Sequence, residues 1–388
     1  CIRDSTRSPA PPHRRHHSSS FTPTRDDFRV FSTGNGGMNT VRRLRAEWEP
    51  QSAVVIAWPH AGTDWAADLR LVEPVYDRIA LEISRREPVL VLANDADLAR
   101  HVRGRLDRLG VDRQRACIHS LPCDDTWVRD YGPLAVDDEE APTLLDFRFN
   151  GWGGKFEARL DDRIPDRLHS AGAFGDCAYH HLPWVLEGGA VETDGRGTLL
   201  ATSKSIVSES RNPGVPVDEM EAVLASQCGI SRFLWLRHGG LDGDDTDGHV
   251  DTLARFADPA TILYTTAAAD DTDHDELSLM EKELTAMRTA EGKPYRLLPL
   301  PPAGQHYHDD GHRLPATYAN FLIVNGAVLA PVYGVDGDEQ AISRLREAFT
   351  GRDIVPIDCR ALIRQNGSLH CATMQLPRGG FRCPAPGQ

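Results

Sequence analysis

The chain has 388 residues, 40% of them hydrophobic, which suits one large domain or two ordinary ones and argues against global disorder. A formal net charge of −14 argues against a phosphate-backbone partner and favours a cationic one. No apolar run nears the roughly 18 residues of a membrane span, and eight cysteines without a CxxC pair fit a reduced, cytoplasmic protein better than a zinc ribbon or a disulfide scaffold.

Residues 1–37 differ from the rest. They are rich in Pro, Ser and Arg, lack apolar periodicity and carry +3 from six arginines and three aspartates, leaving −17 for the remainder. No apolar stretch follows the basic residues, so a secretory signal is not supported. A disordered tail or a mis-assigned start is expected here, with a transit peptide as the alternative. Residues 38–388, from Met38 onward, are then expected to form a single domain.

From Ser52 strands and helices alternate. Strand-like runs cover residues 53–58, 88–93, 117–121, 143–149, 198–201, 233–236, 261–264, 321–324 and 327–331. Helical spacing covers 69–85, 161–171, 217–226, 275–289 and 338–349, and Asp95 is placed to cap a further helix running to Leu109. This is an α/β pattern. It does not reduce to regular strand–helix pairs, and turns such as Asn325-Gly326 favour mixed sheets. No GxGxxG opens a helix after a strand, so a dinucleotide site is not supported.

Three segments carry the chemistry: Trp127-Val128-Arg129-Asp130, Gly248-His249-Val250-Asp251 and Gly367-Ser368-Leu369-His370-Cys371. Cysteine is a nucleophile, histidine an acid–base group, and two aspartates can clasp a planar cation. Together they point to a guanidinium, whose N–H fork carboxylates accept and neutralise. Asp130 and Asp251 are the expected holders. Cys371 attacks the central carbon, and His249 protonates departing ammonia and then activates water. If the piece around His249 is extended, His249 and Asp251 project to one face. Glu187, in Glu187-Gly188-Gly189, is expected to orient the histidine ring, and the glycines to admit close backbone approach. No metal or cofactor is needed.

Each piece alone has a plainer reading. Trp127–Pro133 reads as a strand end with an Arg129–Asp130 pair and a turn, Cys371 as a packed small hydrophobe, His249 as a loop residue. An EF-hand counted from Asp242 fails, because its sixth and twelfth positions hold Asp247 and Leu253. His306, His308, Asp309 and His312 read as a polar loop, or a lid, before they read as a metal cluster. The functional reading rests on co-occurrence.

In that combination the chain resembles the agmatine deiminase family, relatives of the bacterial-type peptidylarginine deiminases among the guanidine-modifying enzymes. The resemblance runs from about Val41 to Pro377. It lies in Ala46-Glu47-Trp48-Glu49-Pro50, Trp58-Pro59-His60, Asp125 to Pro133, Phe149 to Gly154, Glu187-Gly188-Gly189, Arg211-Asn212-Pro213, Asp247 to Asp251 and His370-Cys371. It implies a pentein-type α/β propeller of about five ββαβ-like modules, with pseudo-fivefold symmetry around a central active-site channel. It further implies that Cys371 is the nucleophile, His249 the acid–base group and Asp130 and Asp251 the guanidinium holders, and that Trp127 lines the channel. The implied reaction is agmatine to N-carbamoylputrescine and ammonia in putrescine synthesis; exposed faces of such propellers often pair, so a homodimer accords with it. Two departures stand out: Asn366 and Ser368 flank Gly367 where members carry a glycine run, and Asp245 takes a glutamate's place near the substrate's far amine. Arg148 is a weak candidate for a carboxylate-binding cation of the peptidylarginine type. The rivals are a deiminase of peptidylarginine or another guanidine, and a non-catalytic polyamine-binding protein.

Overall fold

The computed structural model describes residues 42–138 and 141–383, and among them one β–β–α–β unit recurs five times. In every unit a central strand pairs antiparallel with one neighbour and parallel with another. The parallel link runs through a helix, because two parallel strands cannot be joined by a tight turn. The central strand of the first unit is Gln51–Ala57, between Met374–Pro377 and Val89–Ala93, with helix Leu69–Ser84 as the crossover and Ala116–Ser120 added at the edge. The second centres on Thr143–Arg148, between Leu134–Asp137 and Ala178–Val185, with Arg43–Leu44 at its edge. The third and fourth centre on Thr198–Thr202 and Thr261–Thr265, the fifth on Ala327–Val332.

The sequence supports these elements locally. Asp95 accepts from the N–H groups of Asp97 and Leu98 and opens helix Ala96–Arg108. Gly229, at φ +66°, ends helix Val217–Cys228. Val89–Ala93 is apolar throughout because it is wholly buried, as a parallel strand covered on both faces must be.

The mixed sheets and the five-module pattern are as expected, and the helices lie where the spacing put them. The irregular alternation is corrected: the units are regular, and strands Leu134–Asp137, Ala178–Val185, Ala254–Asp258, Arg296–Leu300, Asp353–Asp358 and Met374–Pro377 escaped detection. Three of them are edge strands interrupted by Pro183, Pro299 and Pro356. An edge strand tolerates proline because its outward N–H needs no partner, and the apolar pattern breaks there. The readings for residues 1–37 and for a start at Met38 lie outside the described residues. No helix among the described residues is long and apolar enough to cross a membrane.

Pairing Met374–Pro377 with Gln51–Ala57 brings the end of the described chain back to its first unit. Each unit therefore leads into the next through one connector, and each connector ends immediately before an antiparallel strand.

Candidate active site

The chemistry-bearing residues sit at the ends of those five connectors. Asp130 lies on the single helical turn Val128–Tyr131 before Leu134–Asp137, and Gly189 on the turn Gly188–Ala190 before Glu192–Thr193. Asp251 lies on the turn Val250–Thr252 before Ala254–Asp258, Asn320 precedes Leu322–Val324, and Cys371 precedes Met374–Pro377. The plainer reading of Trp127–Pro133 fails, and the condition of an extended piece at His249 is not met. Trp127–Pro133 is a helical turn rather than a strand end, and Arg129 turns towards Glu47, at 3.9 Å, instead of pairing with Asp130. The His249–Asp251 piece is a tight turn rather than extended backbone. Both side chains still enter one site because the turn wraps around it.

Gly189 marks where they meet. A Cβ built there would stand 2.6 Å from His249 Nδ1, 2.7 Å from Asp130 Oδ1 and 3.1 Å from Asp251 Oδ2. Gly188 is equally constrained, its Cβ position lying 2.2 Å from the Arg129 carbonyl oxygen. Gly189→Ala is expected to push the histidine and both carboxylates apart and to lower kcat/KM by about 10²-fold. Steady-state ammonia release, with circular dichroism as the folding control, checks this.

Asp130, Glu187, His249 and Asp251 are all buried, so their charges are settled by one another. Asp130 accepts from Gly189 N–H and Trp152 Nε1, both at 2.9 Å. Burial and the like charges of Asp251 and Glu187 push it up to about 6. His249 Nε2 lies 3.4 Å from Glu187, and its Nδ1 lies 3.5 Å from Asp130. Burial works against a charge on this ring, but Asp130, Glu187 and Asp251 outweigh it and raise its pKa to about 9. Glu187 is held in turn by Arg211 Nε at 2.7 Å. Cys371 is buried, and burial together with Asp251 and Asp130 holds its thiol well above the ordinary range. Its Sγ donates to Asp251 Oδ2 at 3.7 Å.

A pocket opens beside Asp130 and Cys371. Cys371, Asp130, Trp127 and Asp245 line it, joined by Asp64, Asp125 and Trp152, and no lysine or arginine does. Burial pushes Asp125 up to about 7, with Asp64 and Asp245 adding to the effect. Asp245 is raised by burial and by Asp244 against the bond it accepts from Asn366. Gly367 lets the Trp127 ring lie against its connector, since a Cβ there would meet the ring at 2.5 Å. Arg148 is not among the lining residues.

Sequence reasoning missed Asn320, Trp152, Asp125, Glu47 and the part played by His370. Asn320 Oδ1 accepts from the backbone N–H of His370 and Cys371, and its Nδ2 donates to the Cys371 sulfur at 3.3 Å. No motif announced it. Trp152, Glu47 and His370 stand inside the segments that carry the resemblance, but their partners are distant in sequence. The suspected metal cluster also changes. His306 turns to the Ala303 carbonyl and Asp309 to Arg364, while His308, Asp310 and His312 bring ligand atoms within 4.8 Å of one another. They sit on a short hairpin, His306–Tyr307 against Arg313–Leu314.

The model of the Porphyromonas-type peptidyl-arginine deiminase family matches residues 43–377. The chain belongs to that family. An agmatine deiminase of Stutzerimonas stutzeri (strain A1501) is 32% identical over 358 residues, covering 86% of this chain and 95% of its own length. Among solved structures, a Porphyromonas gingivalis protein provisionally named an arginine deiminase superposes with a TM-score of 0.81 at 45% identity, covering 88% of this chain and 100% of its own. The C. jejuni agmatine deiminase, as a cysteine-to-serine variant with substrate bound, superposes with a TM-score of 0.80 at 29% identity, covering 90% of this chain and 100% of its own. These deiminases share the five-unit α/β architecture, which is of the pentein type. Membership makes the chain an enzyme that hydrolyses a carbon–nitrogen bond.

Proposed function

We propose that this deiminase hydrolyses agmatine to N-carbamoylputrescine and ammonia through a thiouronium on Cys371. The observation that carries the substrate is the acidic pocket. A molecule with a guanidinium at one end and an amine at the other meets Asp130 in the lining with Asp251 beside Cys371, and then Asp125 and Asp245 of the same lining. The carboxylate of free arginine, or the backbone of an arginyl peptide, would meet acids and no cation.

The cation also activates the nucleophile. In the empty site two carboxylates keep the thiol neutral; an entering guanidinium cancels that field, and the thiol proton leaves to solvent. The thiolate bonds to the guanidinium carbon and gives a neutral tetrahedral adduct. His249 gives its proton to one amino nitrogen, and ammonia departs to leave a positive thiouronium. Water then loses a proton to His249 and attacks the same carbon. Collapse breaks the carbon–sulfur bond, the hydroxyl proton returns to sulfur, and the ureido product is free. The released ammonia takes up the proton given to solvent at the start, so the sum is guanidinium plus water to ureide plus ammonium. No metal or cofactor takes part in this scheme.

Ammonia release from agmatine, arginine and an arginyl peptide tests the reading. Agmatine should lead by at least about tenfold in kcat/KM, one charge-assisted hydrogen bond's worth; a faster peptide overturns it. Arginine is the second reading, favoured by the likeness to the Porphyromonas gingivalis protein. Asp125→Asn with Asp245→Asn should raise KM for agmatine about tenfold or more and change kcat little, because these acids touch the end of the substrate that does not react. Unchanged KM would remove both from substrate binding. A single domain over residues 38–388, a cytoplasmic location, a homodimer and the absence of a nucleic-acid partner belong to the same reading, the last supported by the net charge of −14.

A further inference from the structure

The residue before the nucleophile, His370, is buried and holds both ring nitrogens against carboxylates. Its Nδ1 lies 2.8 Å from Asp251 Oδ2, and its Nε2 lies 2.7 Å from Glu47 Oε2. Each contact needs a proton between nitrogen and oxygen. A neutral imidazole supplies one, so the second sits on the ring or on one of the acids. Glu47 is an unsuitable place for it. Arg255 Nη2 donates to Glu47 Oε2 at 2.7 Å, and the Ile323 N–H donates to its Oε1 at 2.7 Å, so both of its oxygens already act as acceptors. Burial works against its charge, but His370, Arg255 and Arg129 outweigh it and hold Glu47 far below the usual carboxylate range. Asp251 is also lowered despite burial, by His370 and then His249.

We propose that His370 is a positioning residue that carries a proton on each nitrogen and fixes the Asp251 carboxylate between itself and the reaction centre. Asp251 Oδ2 is thereby taken, and Oδ1, buried and without a hydrogen-bond partner, is left for a guanidinium N–H. Asp251 thus offers the substrate one oxygen rather than a two-toothed edge. The ring also places a positive charge beside the carboxylates in the empty site. The charged groups around it are Asp251 and Glu47 in contact, Arg255 and Arg129 beyond Glu47, Glu192 beyond Arg255, and Cys371, Asp130 and His249 within the site. This inference rests on the deiminase reading for its kinetic consequence but not for its protonation claim.

Two measurements on the full chain keep the two apart. Nitrogen-15 NMR of the histidine-labelled protein without substrate, with His370→Gln assigning the signal, should show both ring nitrogens of His370 protonated at neutral pH. A single-proton tautomer there overturns the proposal whatever the substrate proves to be. In kinetics with agmatine, His370→Gln should raise KM at least about tenfold with a smaller fall in kcat, because a swinging Asp251 weakens capture of the guanidinium. In the same NMR experiment Glu47→Gln should leave a single proton on the ring, because one of the two carboxylates that face its nitrogens is gone. A ring still protonated on both nitrogens in that variant, with the protein folded, overturns the proposal. Absence of agmatine turnover in the wild type would instead sink the substrate reading and leave the NMR test standing.

Discussion

Cys371→Ser is expected to lower agmatine turnover by roughly 10⁴-fold or more, because a neutral hydroxyl is a far weaker nucleophile than a thiolate and nothing in the site activates it. The nearest acceptors to that position, Asp251 and Asn320, already serve other donors: Asp251 takes His370, and the Asn320 oxygen takes two backbone N–H groups. Agmatine binding should stay within about tenfold of the wild type, since the acids that hold the cation are untouched. Calorimetry on the variant measures the binding, and ammonia release measures the loss. Acid quenching of the wild type during turnover should yield a protein heavier by agmatine less ammonia, with the added mass on Cys371. Turnover unchanged in the serine variant would refute the covalent route.

The second large effect concerns His249 and its pH dependence. Removing the ring as His249→Ala should lower kcat by about 10² to 10⁴, the usual range for a general acid–base group. In the wild type, Asp130 takes a proton as pH falls through about 6, so KM for agmatine should rise on the acid side. His249 loses its proton as pH rises towards about 9, so kcat should fall on the alkaline side, at a lower pH in the complex because the bound cation repels the imidazolium. Asp130→Asn should remove the acid limb and move the alkaline limb down, since Asp130 is the foremost charge sustaining the protonated ring. An alkaline limb that persists in His249→Ala would assign it to another group.

Much of this was legible in one dimension. The central strands showed as apolar runs because they are buried almost throughout, and the crossover helices showed through spacing and caps such as Asp95. Three outer strands did not, since prolines at 183, 299 and 356 break the apolar pattern, whereas those near 117–121, 233–236 and 321–324 did. The turn at Val250–Thr252 was not legible for a different reason. Four residues carry too little periodicity to separate a tight turn from a strand, and either conformation delivers two side chains into one site.

The residue types set the reaction class. A cysteine, a histidine and two aspartates point to a planar cation attacked at carbon, a reading open before any fold is known. Tertiary structure decided how each oxygen is engaged. Trp152 and Gly189 pin Asp130, His370 takes half of Asp251, and Glu47 closes the array from 323 positions away. A carboxylate's partners are chosen by what the packing of five connectors brings within 3 Å, and no local spacing encodes that distance.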